Sequence, residues 1–354
     1  MRICYFNLTN DIPPRDKVYL IGLKENGVEI IDCRDSSPFL KKFLNLYKKH
    51  RSIKNGYDLL FVGYSAHILV PFARLISNKK IVFNALGSLY EGTILSRKHY
   101  GLLGWRVVYC LLIDFLAFHS SSLTLVETNE QKKYLKNKFF IPENKITRSF
   151  TGVNENKFFY SPNTKKLPYF TILFRGGILP ESGIEYAIKA ACLLKNQGVN
   201  LKIVGTGIMA DKVRKLITDN RLKNIEWITE KLPDNDLRIK MQECHLSLGQ
   251  LSSHDRLNRT IPHKAFESIA MKIPYLTARN KGVLELLKEE ETCFCANPSD
   301  PEDLARKIIE LKNNPELMAK IAENAYQLYQ KELRPLHLAR HLLNIIKDRR
   351  WAEL

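Results

Sequence analysis

Short apolar runs alternate with amphipathic segments along nearly the whole chain, and the series runs through twice. In the first half MRICYF (1–6), VEIIDC (28–33), YDLLFVGY (57–64), KKIVFNAL (79–86) and SLTLVET (122–128) read as strands. YDLLFVGY is a near-continuous apolar run, as expected for a central parallel strand buried on both faces. Helical patterning separates the strands at 14–27, 38–54 and 67–76, and KITRSFTGV (145–153) closes the half. SPNTKKLP (161–168), polar and bearing two prolines, reads as a linker. The second series places strands at 169–175, 200–204, 224–229, 246–251 and 274–278, with helices between them and a mainly helical end from Pro301 to Lys347. Such alternation predicts α/β architecture built on doubly wound parallel sheets. A length of 354 residues accommodates about two domains. We therefore expect two Rossmann-like domains facing across a cleft, residues 1–160 and 161–335, with a C-terminal helix in 336–354 packing back toward the first domain.

Charge is unevenly divided. Residues 1–166 carry 26 Lys and Arg against 13 Asp and Glu, whereas 167–354 carry 29 against 24. So basic a first half suits a polyanionic partner. Nucleic acid is not expected, because no reader motif or aromatic-basic platform is present. LLGWRVVYCLLIDFLAFH (102–119) is the longest apolar stretch, interrupted by Arg106 and Asp114. It falls short of the ~20 apolar residues of a span, so it reads as a buried domain helix, with an in-plane membrane helix as the alternative. The seven cysteines contain no CxxC pair, and the N-terminus has no apolar region of signal length. Reduced, buried thiols and a cytoplasmic protein follow as expectations.

Three segments carry candidate chemistry. In FRGGILPESGIE (174–185), Gly176 and Gly177 follow a strand and precede a helix, where backbone N–H groups can approach a phosphate. Arg175 offers a charge-assisted contact to a diphosphate; an ordinary glycine turn is the alternative. IVGTG (203–207) is a second strand-to-glycine turn, but it has no third glycine for a dinucleotide fingerprint. Close packing is enough to explain Gly205 and Gly207. In RTIPHKAFESIAMKIPYLTA (259–278) a helix is expected with Pro262 at its first position, Lys264 in the first turn and Glu267 one turn deeper. A first-turn lysine opposes the helix dipole and hints at an anionic ligand. A carboxylate at 267 suits two vicinal hydroxyls, or else is a solvent-facing glutamate. No metal motif stands out, since DND (234–236) lies at a helix start where capping explains it. No cofactor or metal is expected.

The order FRGGILPESGIEYAIKA, LKIVGTG, TIPHKAFESIAMKIPYLTA resembles the nucleotide-sugar domain of glycosyltransferase family 4, whose members have the GT-B fold and are mostly retaining. PRDKVYLIGLKENGVEI, KKIVFNALGSLYEG and SFTGVNENKFF extend the resemblance over the first half. It implies a nucleotide diphosphate sugar donor, UDP- more often than GDP-, and a saccharide or lipid-linked saccharide acceptor. It further implies a role in cell-surface polysaccharide or lipopolysaccharide synthesis. Glu267 matches the second Glu of the family's E-x7-E motif, which holds the ribose. The first Glu is replaced by Arg259, so donor-sugar contacts fall to the segment 250–260, including His254 and Asp255. The family's diphosphate-binding Arg and Lys are replaced, in one register, by Ile178 and Ser182; Arg175 and Lys264 are the available cations. His67 resembles a histidine near the sugar site in the first domain. A basic first domain suits docking on an anionic leaflet, at the inner face of the plasma membrane. The alternatives are a non-catalytic GT-B scaffold partner of another transferase and a nucleotide-sugar 2-epimerase.

Overall fold

The computed structural model describes residues 1–38, 40–96 and 104–351. The chain forms two compact units, one of Met1–Asn154 with Leu333–Leu354 and one of Glu155–Glu332.

The first unit is built on six parallel strands: β1 (Arg2–Asn7), β2 (Glu29–Arg34), β3 (Leu59–Val62), β4 (Lys80–Leu86), β5 (Leu123–Val126) and β6 (Ile146–Arg148). Their order in the sheet is β2-β1-β3-β4-β5-β6. Strands β3 and β5 are buried at every position, which is why they are continuous apolar runs in the sequence. The helix Pro335–Asp348 belongs to this unit and crosses the helix Pro14–Glu25 so closely that a Cβ at Gly22 would lie 1.9 Å from the Pro335 carbonyl oxygen.

The second unit repeats the plan with β7 (Phe170–Arg175), β8 (Val199–Val204), β9 (Ile225–Ile228), β10 (Leu246–Leu248), β11 (Tyr275–Ala278) and β12 (Phe294–Ala296), in the order β12-β11-β10-β7-β8-β9. The series runs outward from β7 in one direction and from β10 in the other. The switch point therefore lies between β7 and β10, where parallel α/β sheets open a crevice outside their carboxyl ends.

Four details differ from the sequence reading. Residues 161–168 are part of the second unit, because Lys166 donates to the carbonyls of Gln242 and Cys244 at 2.8 and 2.6 Å and Leu167 N–H donates to the Glu243 carbonyl. The apolar stretch forms a helix over Trp105–Ser120 that buries only one face; Leu102 and Leu103, like Phe39 in the lysine-rich segment, lie outside the described residues. Pro262 is the N-cap of the helix His263–Ala270 rather than its first residue. Asp234 caps nothing: the helix Asp234–Gln242 is preceded by Pro233, and Asp234 instead pairs with Lys157.

Candidate functional site

Two glycine turns meet at the end of the second sheet. Gly176 N–H donates to the Val204 carbonyl at 3.0 Å, Ile178 N–H to Thr206 at 3.1 Å, and Met209 N–H to Ile178 at 3.2 Å. The turns are laid so closely together that only glycine fits. A Cβ at Gly205 would lie 2.2 Å from the Gly176 oxygen, and one at Gly207 would lie 2.4 Å from the Ile178 oxygen. Gly205 also has φ near 137°. Trp227 donates its indole N–H to the Gly205 carbonyl at 2.9 Å and fixes the second turn from behind. Gly176 stands against the stem of Lys264, 3.6 Å from its Cε to a built Cβ, and Gly177 touches no backbone closely.

Arg175, the last residue of β7, reaches the helix His263–Ala270 across the switch point. Its Nη1 donates to both carboxylate oxygens of Glu267, at 2.7 and 2.5 Å. The sequence reading gave these two residues separate partners, whereas the structure makes them partners of each other. Glu267 is buried and Arg175 is 22% exposed, so the guanidinium forms the accessible side of the pair. Lys264 is buried in the first turn of the same helix. Its Nζ lies 3.3 Å from the Gly249 carbonyl, just past β10, and 3.7 Å from the centre of the Phe174 ring. Burial, and then the Arg175 guanidinium, push this ammonium down to about 7, with Glu267 opposing the shift. Two cations and one carboxylate thus share the mouth of the β7/β10 crevice beside stacked glycine turns. An arrangement of this kind can neutralise charge developing on a diphosphate without a metal. Among the described residues no group of three His, Cys, Asp or Glu is placed to hold a metal ion.

The segment 251–259 packs on the turn that precedes the helix Ile184–Leu193. Leu251 N–H donates to the Ser182 carbonyl at 3.1 Å, and Ser252 Oγ to the Glu181 carbonyl at 2.8 Å. His254 caps a short 3-10 turn by accepting the Arg256 N–H on its Nδ1 at 3.2 Å. Asp255 pairs with Arg259 at 2.7 Å, and that guanidinium holds its carboxyl below the usual range.

His67 lies in the first unit, buried between the rings of Phe83 and Phe118, each in edge contact. Its Nε2 is 3.1 Å from the Gly87 carbonyl and 3.5 Å from Asp114. Asp114 is the charge that interrupts the apolar stretch, and it accepts the N–H groups of Leu89 and Tyr90 at 2.8 and 2.9 Å. His67 and Asp114 together hold the turn that follows β4. Sequence reasoning missed the neighbouring network beyond β1. Asp16 accepts from Tyr5, Asn84 and Asn7 and from the Tyr64 N–H, while buried Arg15 donates to Asn84, Thr151 and the Ser149 carbonyl. Burial pushes the Asp16 carboxyl up, and these bonds oppose it. Adjacent charges at a helix start ordinarily face solvent, so the sequence carried no signal for it.

The fold and the paired Rossmann-like units are those of GT-B glycosyltransferases. Anabaena Alr3699/HepE, solved with UDP and glucose, superposes with a TM-score of 0.74 at 17% identity, covering 98% of this chain and 100% of that one. Residues 156–328, within the second unit, match the family described as glycosyl transferases group 1, so the chain carries a group 1 glycosyltransferase domain. It is 27% identical over 283 residues to an uncharacterized glycosyltransferase of Methanocaldococcus jannaschii, covering 73% of this chain and 76% of that protein. It is 23% identical over 310 residues to the capsular polysaccharide biosynthesis glycosyltransferase CapM of Staphylococcus aureus, covering 82% of this chain and 75% of that protein.

Proposed function

We propose that this protein transfers a hexosyl group from a nucleoside diphosphate sugar, UDP- rather than GDP-linked, to a saccharide or lipid-linked saccharide acceptor. It does so with retention, at the cytoplasmic face of the membrane, in the synthesis of cell-surface polysaccharide or lipopolysaccharide. The observation that carries this reading is the meeting of Arg175, Lys264 and Glu267 beside the stacked turns of Gly176, Gly205 and Gly207. The UDP and glucose named for the Anabaena structure and the polysaccharide role named for CapM support it.

In this account the donor's diphosphate lies on the glycine turns, between Arg175 and Lys264. Glu267 takes the ribose hydroxyls once Arg175 turns toward phosphate. The two cations stabilise the departing diphosphate, and its oxygen accepts the proton of the incoming hydroxyl on the same face of the sugar. No protein nucleophile is required for that route. His254 and Asp255 border the donor sugar, and His67 belongs to the acceptor side.

The test is product analysis by proton NMR after incubation with UDP-glucose, UDP-N-acetylglucosamine and GDP-mannose, each with and without an acceptor panel. The reading expects UDP release that depends on acceptor and an anomeric coupling that matches the donor. A change in the donor alone establishes a 2-epimerase. Arg259 in place of the family's first Glu motivates the scaffold alternative, which binds donor without turnover on any acceptor.

A further inference from the structure

Among the described residues, one face of the helix Trp105–Ser120 has no partner in its unit. Trp105, Val108, Tyr109, Leu112, Phe115 and Leu116 recur at spacings of three and four along it, and all are exposed: Trp105 by 72%, Val108 by 66% and Leu112 by 54%. The opposite face, with Cys110, Ile113, Ala117 and Phe118, is buried. Scattered apolar residues on a surface are ordinary, but a continuous stripe marks an interaction site. The helix's one acid, Asp114, is buried and bound to the backbone of Leu89 and Tyr90. Cations stand at both ends. The Arg106 guanidinium lies 5.4 Å from the Trp105 ring, Lys145 Nζ donates to the His119 carbonyl at 2.9 Å and Arg74 Nε to Ser120 at 3.2 Å. The unit that carries the helix holds 28 Lys and Arg against 14 Asp and Glu, whereas the other unit holds 27 against 23.

We propose that this stripe is a docking surface for an anionic lipid leaflet. The helix lies in the plane of the interface with its six apolar side chains at the boundary of headgroups and acyl chains. Trp105 and Tyr109 sit at headgroup level, where amphipathic rings are favoured. Lipid phosphates offset the unit's excess positive charge. Charge also decides against a second copy of this chain as the occupant, because pairing two stripes brings together two units of the same strong positive sign. Among the described residues no helix is long and apolar enough to cross a membrane, so the contact is one of lying on the bilayer. This inference names the contact face of the membrane proposed above. It stands on the first unit alone, whatever the second unit transfers.

The test is flotation of the full chain at low salt with phosphatidylcholine vesicles, and with vesicles containing about 30% phosphatidylglycerol. Leu112→Ser combined with Phe115→Ser is the variant, and its thermal midpoint and UDP calorimetry report that both units remain folded. Wild type floats with the anionic vesicles and is released by salt, while the double variant binds at least ~10-fold more weakly at an unchanged midpoint. Brominated lipid quenches tryptophan fluorescence of the wild type, a readout that needs no variant. The proposal is overturned if wild type stays unbound, if the double variant floats as well as wild type, or if bromolipid leaves the fluorescence unchanged. It is also overturned by a wild-type dimer that the double variant dissociates, since a second copy then covers the stripe.

Discussion

Lys264→Met is expected to stabilise the free protein while removing its capacity to bind a nucleoside diphosphate. The ammonium is buried and pushed from its ordinary value of 10.5 to about 7. At about 1.4 kcal/mol for each pH unit between those values, keeping it charged costs roughly 4 to 5 kcal/mol below pH 7. The folded value is the lower one, so the unfolded chain binds more protons between pH 7 and 10.5, and stability rises with pH across that window. By pH 9 the cost has fallen to about 2 kcal/mol. Methionine keeps most of the stem's volume and removes the charge. It also removes the hydrogen bond to the Gly249 carbonyl and the contact with the Phe174 ring. Those losses offset about 1 to 2 kcal/mol. The net gain is then about 3 kcal/mol at pH 6 and close to zero at pH 9. Urea unfolding at both pH values, followed by circular dichroism, reads this directly. A variant destabilised equally at pH 6 and pH 9 refutes the reasoning, because Lys264 then contributes packing and not a strained cation awaiting an anion.

Three further outcomes follow from the same geometry. Diphosphate binding favours charged Lys264, so the affinity for UDP should fall by up to ~10-fold per pH unit as pH rises above 7; a flat calorimetric profile between pH 7 and 9 contradicts this. Arg175→Ala uncovers both oxygens of Glu267, so uridine should bind as well as before or better, while UDP weakens by about 10- to 100-fold; parallel losses for both ligands would show that Arg175 only supports the fold. Asp114→Ala strips the Leu89 and Tyr90 N–H groups of their acceptor beside buried His67, and should cost about 2 to 4 kcal/mol, with Asp114→Asn recovering part of it; a thermal midpoint unchanged in Asp114→Ala would remove this role.

The sheets were legible because strands buried on both faces are written as unbroken apolar runs, as in LLFV of β3 and LTLV of β5. The glycine turns were legible as turns, and their close packing was anticipated. What the sequence concealed was pairing at long range. Arg175 and Glu267 stand 92 residues apart, and nothing local announces that one covers the other. Buried charge was concealed for a related reason. Asp114 read as an interruption of an apolar stretch, yet its carboxylate is what joins that helix to the turn after β4. Asp234 read as a cap because acids at helix starts often are, but Pro233 already occupies the capping position and the carboxylate found Lys157 instead. The linker reading of 161–168 followed its polarity, and Lys166 overrode it by binding two carbonyls of the second unit. The apolar stripe at Trp105–Leu116 was visible as composition, but only the fold shows which of its faces is covered.

The central claim is that the second unit binds a nucleoside diphosphate between Arg175, Lys264 and Glu267. Isothermal titration of wild type and Glu267→Ala with UDP, GDP and uridine tests it most directly. The account predicts saturable binding of UDP in preference to GDP, weakened in the variant for uridine as well as for UDP. Equal affinity of wild type and variant for every ligand, or no binding to wild type at all, would contradict it.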